Sequence, residues 1–298
     1  MITRLPIAKT HKLFIGGKFP RTESGRSVKI TDAAGNTIAH TCHGSRKDLR
    51  NAVEAAAKAQ PGWANATAYL RGQILYRLAE MMEGKRSELQ DAIDVQEGTE
   101  AQRQQDSKGE VEAAIDRVIH YAGWADKYPQ ILGCANPVAG PYHNFTTPEP
   151  VGVVGIVCPD DAPLLALVSL VAPVVCAGNS CIVLASETNP IPACILAEAI
   201  ATSDMPGGVI NILTGFRDEL TPHFASHREI AAIHAAGVSP EQHKTLELGA
   251  AENLKRVTIR DSIRARSASE EPNALDWYND ELCESPNWIE PFVEYKTI

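Results

Sequence analysis

Residues 147–186 read TPEPVGVVGIVCPDDAPLLALVSLVAPVVCAGNSCIVLAS, and residues 205–215 read MPGGVINILTG. Residues 152–158 form an apolar run of strand length, rich in Val and Ile, as expected of a strand buried on both faces. A helix at 163–175 follows, then a strand at 181–184, a helix at 190–201, a strand at 209–213, a short helix near 219–226 and a strand at 229–233. Strands alternating with helices predict an α/β fold built on a doubly wound parallel sheet. Such sheets hold nucleotides at the carboxyl ends of their strands. Residues 253–259 supply a last strand.

Upstream, residues 13–19 (LFIGGKF) predict a short hairpin with Gly16 and Gly17 in the turn. Ser45 followed by Asp48 is a capping pattern that opens a helix over 45–60, with Leu49, Ala52, Val53 and Ala56 on one face. A second helix over 66–83 carries Leu70, Ile74, Leu75 and Leu78 as its stripe, and 88–97 and 110–126 continue the helical pattern. The dense charges between 80 and 112 read as solvated helix faces. Residues 260–286 are polar and without period, as in a linker, and residues 288–298 (WIEPFVEYKTI) read as a terminal strand.

The 298-residue chain is 44% hydrophobic and 22% charged, ordinary values for a globular protein. A formal net charge of −9 argues against nucleic-acid and anionic-membrane partners, which require clustered cations. Seven scattered cysteines, an odd number without metal-ligand spacing, suggest a reducing compartment, and a cytoplasmic location is expected. The N-terminus lacks the apolar core of a signal peptide, and the run at 163–175 is too short to span a bilayer. His223 and His227 lie four apart but without a metal-binding frame around them, so no metal is expected.

The EPVGVVGIV strand, the PGW at 61–63, the MPGGVINILTG phrase, the NLKR at 253–256 and the closing KTI together resemble the aldehyde dehydrogenase superfamily across most of the chain. CPDDAPLLALVSLVAPV, TSDMPGGVINILTG with its following RDEL, and NLKR are most similar to the shortened second unit of the family 16 aldehyde dehydrogenases, here standing alone. The resemblance implies the Rossmann-like nucleotide-binding domain of that family, a small β oligomerisation element and no catalytic domain. It divides the chain into an N-terminal part of the nucleotide domain at 1–138, an oligomerisation hairpin at 139–150, the α/β core at 151–262, a connector at 263–287 and an oligomerisation strand at 288–298.

The resemblance also implies which positions the chemistry needs. The asparagine that stabilises the oxyanion corresponds to Asp161 in the turn PDDAP, an acceptor where a donor is required. The nucleotide-holding lysine corresponds to Leu184. Arg217 stands where a glycine admits the adenine, and Val238 where a hydroxyl helps hold the phosphate. Pro159, Ser186, Glu187, Gly215 and Gly237 remain as a vestigial cofactor site. NAD or NADP binding is therefore expected to be weak, and neither is required.

Two registers compete for the general base. TLELG at 245–249 resembles the family's glutamate motif and offers Glu247. A gap-free register from Gly237 to NLKRVT instead places Arg260 at the base position, and it satisfies two anchors at once. Cys283 is the sole cysteine beyond that point, and its surroundings, LCESPNW, lack the family's context. Glu247 and Cys283 stay as candidates, and Asp161 and Arg260 are degenerate positions. The expectation is a non-catalytic subunit that assembles with itself or with an active dehydrogenase. The alternative is an NAD(P)-dependent dehydrogenase, active alone or when completed by a partner.

Overall fold

A computed structural model describes residues 7–32, 34–94, 100–260 and 275–298. Five strands make the central sheet: β6 (Val153–Val157), β7 (Ser180–Leu184), β8 (Ile210–Leu213), β9 (Ile230–Ala235) and β10 (Arg256–Ile259). Every pairing is parallel and the order is β10-β9-β6-β7-β8. The chain starts in the middle, winds outward through β7 and β8, then crosses back to β9. The strand order therefore reverses beside β6, the position at which doubly wound sheets open a crevice. All residues of β6, β7 and β8 are buried, which explains why their sequences are continuous apolar runs.

Helices cover both faces. Val154 and Ile156 of β6 pack with α6 (Leu165–Cys176), whose twelve residues are all buried. Val153 and Val157 pack on the opposite face with α1 (Arg46–Ala64) and α8 (Arg217–Ser226). Helix α1 starts with the Ser45–Asp48 capping box. Helix α2 (Ala68–Gly84) buries Ile74, Leu75 and Leu78, but Leu70 in its first turn is exposed rather than part of the stripe. Helices α3 (Arg86–Ile93), α4 (Glu100–Trp124), α5 (Tyr128–Leu132) and α7 (Ile191–Ala201) complete this layer. Among the described residues no helix is long and apolar enough to cross a membrane.

Two small sheets flank the core. Strands β1 (Lys9–His11), β2 (Ser27–Thr31) and β3 (Thr37–Cys42) form one, in the order β1-β3-β2. The expected hairpin at 13–19 is present in short form: Ile15 and Lys18 exchange backbone bonds at 2.9 and 3.0 Å, and Leu13 N donates to Pro20 O at 3.1 Å. Gly16 and Gly17 take positive φ between Ile15 and Lys18, and Phe14 makes two backbone bonds to Ile212, partly covering the β8 edge. The other sheet joins β4 (Cys134–Ala135), β5 (Phe145–Pro150) and β11 (Val293–Thr297) in antiparallel order β11-β5-β4.

The C-terminal region departs from the expected linker. Residues 261–274 lie outside the described residues, but from Leu275 onward the chain is packed. Trp277, Cys283, Trp288, Ile289 and Phe292 are buried in the core on the α6 face. Arg117 of α4, fully buried, gathers this segment. It donates to Ser169 Oγ at 2.6 Å, Trp277 O at 3.1 Å, Asp280 Oδ1 at 3.2 Å and Glu284 Oε1 at 3.2 Å. Tyr121 Oη donates to Cys283 O at 2.8 Å, and Asn179 Nδ2 to Phe292 O at 3.0 Å. The short helix α10 (Asp280–Cys283) and two 3-10 turns (Pro286–Trp288, Glu290–Phe292) lead into β11, which pairs with β5 of its own chain from Val293↔Pro150 to Thr297↔Thr146. A segment of low average hydrophobicity is thus a cap, because a few widely spaced anchors carry its burial.

Candidate functional site

The loops after β6, β7, β8 and β9 converge at the crevice, and side chains of the chain itself tie them together. After β6, Asp160 Oδ1 accepts from Ser186 Oγ at 2.8 Å, Glu187 N at 2.8 Å and Thr188 N at 3.1 Å. Its second oxygen forms an ion pair with the guanidinium of Arg217, the first residue of α8 after the β8 loop. Arg217 Nη1 donates to Gly237 O, after β9, at 2.9 Å, and Arg217 N donates to Glu187 Oε2 at 2.9 Å. The Arg217 residue is 7% exposed. Burial lowers its pKa, but a guanidinium paired with carboxylates stays charged.

Gly237 has a structural reason of its own. Its φ is +60°, and a Cβ there would meet Pro159 Cβ at 2.6 Å. Leu184, at the end of β7, is buried in the core, and Val238 packs against the same cluster.

Beside this network, Asp161 Oδ2 accepts from Trp277 Nε1 at 2.9 Å. Asp161 borders a concavity of about 640 Å³ that also receives Asp94, Asp106, Glu110 and Asp276. Glu110 accepts from the backbone N–H groups of Leu164 and Leu165 at 2.7 and 3.1 Å. Burial raises its pKa, which those N–H groups lower and neighbouring Asp161 raises further. An oxygen gaining negative charge here would face carboxylates rather than donors.

Arg260 lies just beyond β10. Its guanidinium sits 4.1 Å from the Trp288 ring centroid, and its Nε donates to His234 Nε2 at 3.1 Å. His234 Nδ1 is 2.9 Å from Leu170 O, so the imidazole is the neutral Nδ1–H tautomer, accepting at Nε2. Burial, with Arg260 beside it, keeps the His234 pKa well below its usual value, and burial brings Arg260 down to about 10. A cation stacked on an indole offers no base.

The structure does not bring Glu247 and Cys283 together. Residues 245–249 lie inside helix α9 (Pro240–Asn253), where Leu246 is buried, Leu248 is exposed and Glu247 faces solvent beside His243. Helix α9 packs on α8, whereas Cys283 is buried on the α6 face of the sheet. Burial raises the Cys283 pKa, outweighing the lowering by Arg117. That arginine lies close in space though remote in sequence. Among the described residues no group of His, Cys, Asp or Glu is arranged to hold a metal.

Residues 20–260 match the protein family described as the aldehyde dehydrogenase family. The chain belongs to that family. A benzaldehyde dehydrogenase of Antirrhinum majus is 32% identical over 251 residues, 83% of this chain and 46% of its own length. Retinal dehydrogenase 2 of Gallus gallus is 33% identical over 255 residues, 84% of this chain and 48% of its own. Among solved structures, the NAD+ complex of a Bacillus cereus aldehyde dehydrogenase superposes with a TM-score of 0.78 at 27% identity, covering 87% of this chain and 53% of that one. The chain spans about half the length of the relatives it matches.

Aldehyde dehydrogenases imply a nicotinamide dinucleotide at this crevice, and the residues present do not fit one. The group needs donors or a cation for its pyrophosphate. Leu184 supplies neither. The Arg217 charge is spent on Asp160, with Glu187 nearby, and displacing it would leave two carboxylates facing the phosphates. Asp160, the hub of the network, was missed in the sequence, where only its neighbour Asp161 was singled out. No local pattern signals that pair, because only the parallel sheet brings the loop after β6 beside the start of α8.

Proposed function

We propose that this chain is a non-catalytic aldehyde dehydrogenase-family subunit that assembles with itself or with an active NAD-dependent aldehyde dehydrogenase. The observation that carries this reading is the Arg217 guanidinium bound between Asp160 and the Gly237 carbonyl, across the carboxyl ends of the strands. Asp161 and Arg260 support it, since one removes a donor and the other a base. A reducing, cytoplasmic setting accords with seven free cysteines, six of them buried.

Assembly is supported by the β11-β5-β4 sheet. Its two outer edges are unpaired among the described strands, and Tyr142, Phe145 and Tyr295 on and beside it are exposed. Unpaired edges accept further strands. Because β11 already lies on β5, a partner adds to this sheet rather than receiving a strand released from it.

The isolated chain is expected to give no aldehyde-dependent reduction of NAD or NADP above the buffer rate. Turnover that disappears in Cys283→Ala would overturn the reading in favour of an active enzyme. By light scattering, the 32.2 kDa chain should run as an oligomer or bind a full-length aldehyde dehydrogenase encoded beside it. A stable monomer without affinity for that protein would remove the assembly half of the proposal.

A further inference from the structure

At the other end of α8, about one 10-residue helix length (~15 Å) from Arg217, lies a second concavity of about 680 Å³. It is formed by the first turns of α1 and the end of α8, and it does not share a residue with the crevice. Its walls carry Arg46, Lys47, Arg50 and Arg228, together with the imidazoles of His223 and His227. Two carboxylates in the wall, Glu23 and Glu229, with Glu54 beside Arg50, face these four fixed cations, in a chain whose net charge is −9.

The positive charge is only partly neutralised internally. Lys47 pairs with Glu23 at 3.2 Å and Arg50 with Glu54 at 3.5 Å, both on the surface, but Arg46 and Arg228 have no acidic partner among the described residues. Arg46 and Lys47 occupy the first turn of α1, where the helix dipole disfavours cations. The His223 imidazole is pushed toward its neutral form by burial and then by Arg46, and that of His227 by burial and then by Lys255. The volume suits a compact ligand, and planar guanidinium forks match phosphate oxygens.

We propose that this concavity binds a small phosphate-bearing anion, with Arg46 and Arg228 as the groups that grip the phosphate. The reading is independent of the proposed subunit role. Calorimetric titration at constant ionic strength, with pyrophosphate and with ADP as probes, tests it. The expected result is saturable 1:1 binding of pyrophosphate, weakened at least tenfold in the Arg46→Ala/Arg228→Ala double variant, whose fold is checked by circular dichroism. ADP binding with the same dependence would show that the phosphate can be carried on a nucleotide. Absence of saturable binding, equal affinity for sulfate, or binding undiminished in the folded double variant would overturn it. ADP binding that survives the double variant, without pyrophosphate binding, would instead place a nucleotide in the crevice and count against the proposed subunit role.

Discussion

Titrated upward from pH 8, the protein should lose stability steeply and unfold by about pH 10–11. Cys158, Cys176, Cys181 and Cys194 are buried at the heart of the fold. Burial pushes all four thiols up, Cys176 and Cys194 to about 12. In the unfolded chain a thiol titrates near pH ~8.5. The folded pKa is raised, so the stability is fully present below pH ~8.5 and is lost as pH climbs toward the folded value. Each thiol loses about 1.4 kcal/mol per pH unit, and four together about 5 kcal/mol, against a typical total of roughly 5–15 kcal/mol. Lys255 and Arg260 work the other way, since burial lowers them to about 8 and about 10, but they are two groups against four. Urea midpoints between pH 7.5 and 10 check this. A midpoint that stays constant across that range would contradict it.

A chain ending at residue 274 should fail to reach a soluble folded state. It loses Trp277, Cys283, Trp288, Ile289, Phe292 and Val293, each no more than 3% exposed. At about 1.5–3 kcal/mol per large apolar side chain, the loss is on the order of 10 kcal/mol. Arg117 would also keep its buried charge while losing Glu284, Asp280 and the Trp277 carbonyl, which costs several kcal/mol more. Soluble expression and limited proteolysis measure the outcome. A soluble truncated chain with cooperative unfolding would mean that the C-terminal cap is dispensable.

The central sheet was legible because strands buried on both faces must be written as apolar runs, as in Val153–Val157 and Ser180–Leu184. The C-terminal cap was not, because Trp277, Cys283 and Trp288 follow no helical or strand period. Their polar partner, Arg117, stands 160 residues before the Trp277 carbonyl it holds. The TLELG segment imitates a strand by alternation. Helical geometry separates residues two apart by about 200°, so Leu246 turns inward while Leu248 faces solvent. At the site, the altered positions Asp161, Leu184, Arg217 and Val238 could be read from the motifs. The Asp160–Arg217 pair could not, since it exists only once parallel strands bring two distant loops to one edge.

If Arg217 closes the nucleotide crevice, calorimetric titration with NAD+ and NADP+ will show it. The Arg46→Ala/Arg228→Ala variant, which lacks the two cations proposed to grip phosphate in the basic concavity, is titrated alongside, so that binding at the crevice is read separately. The expected result is no saturable binding tighter than ~1 mM for either dinucleotide, at or beyond the weak end of the range in which enzymes hold their substrates. Saturable binding in the low micromolar range (~1–10 µM), comparable to that of working enzymes, would contradict it.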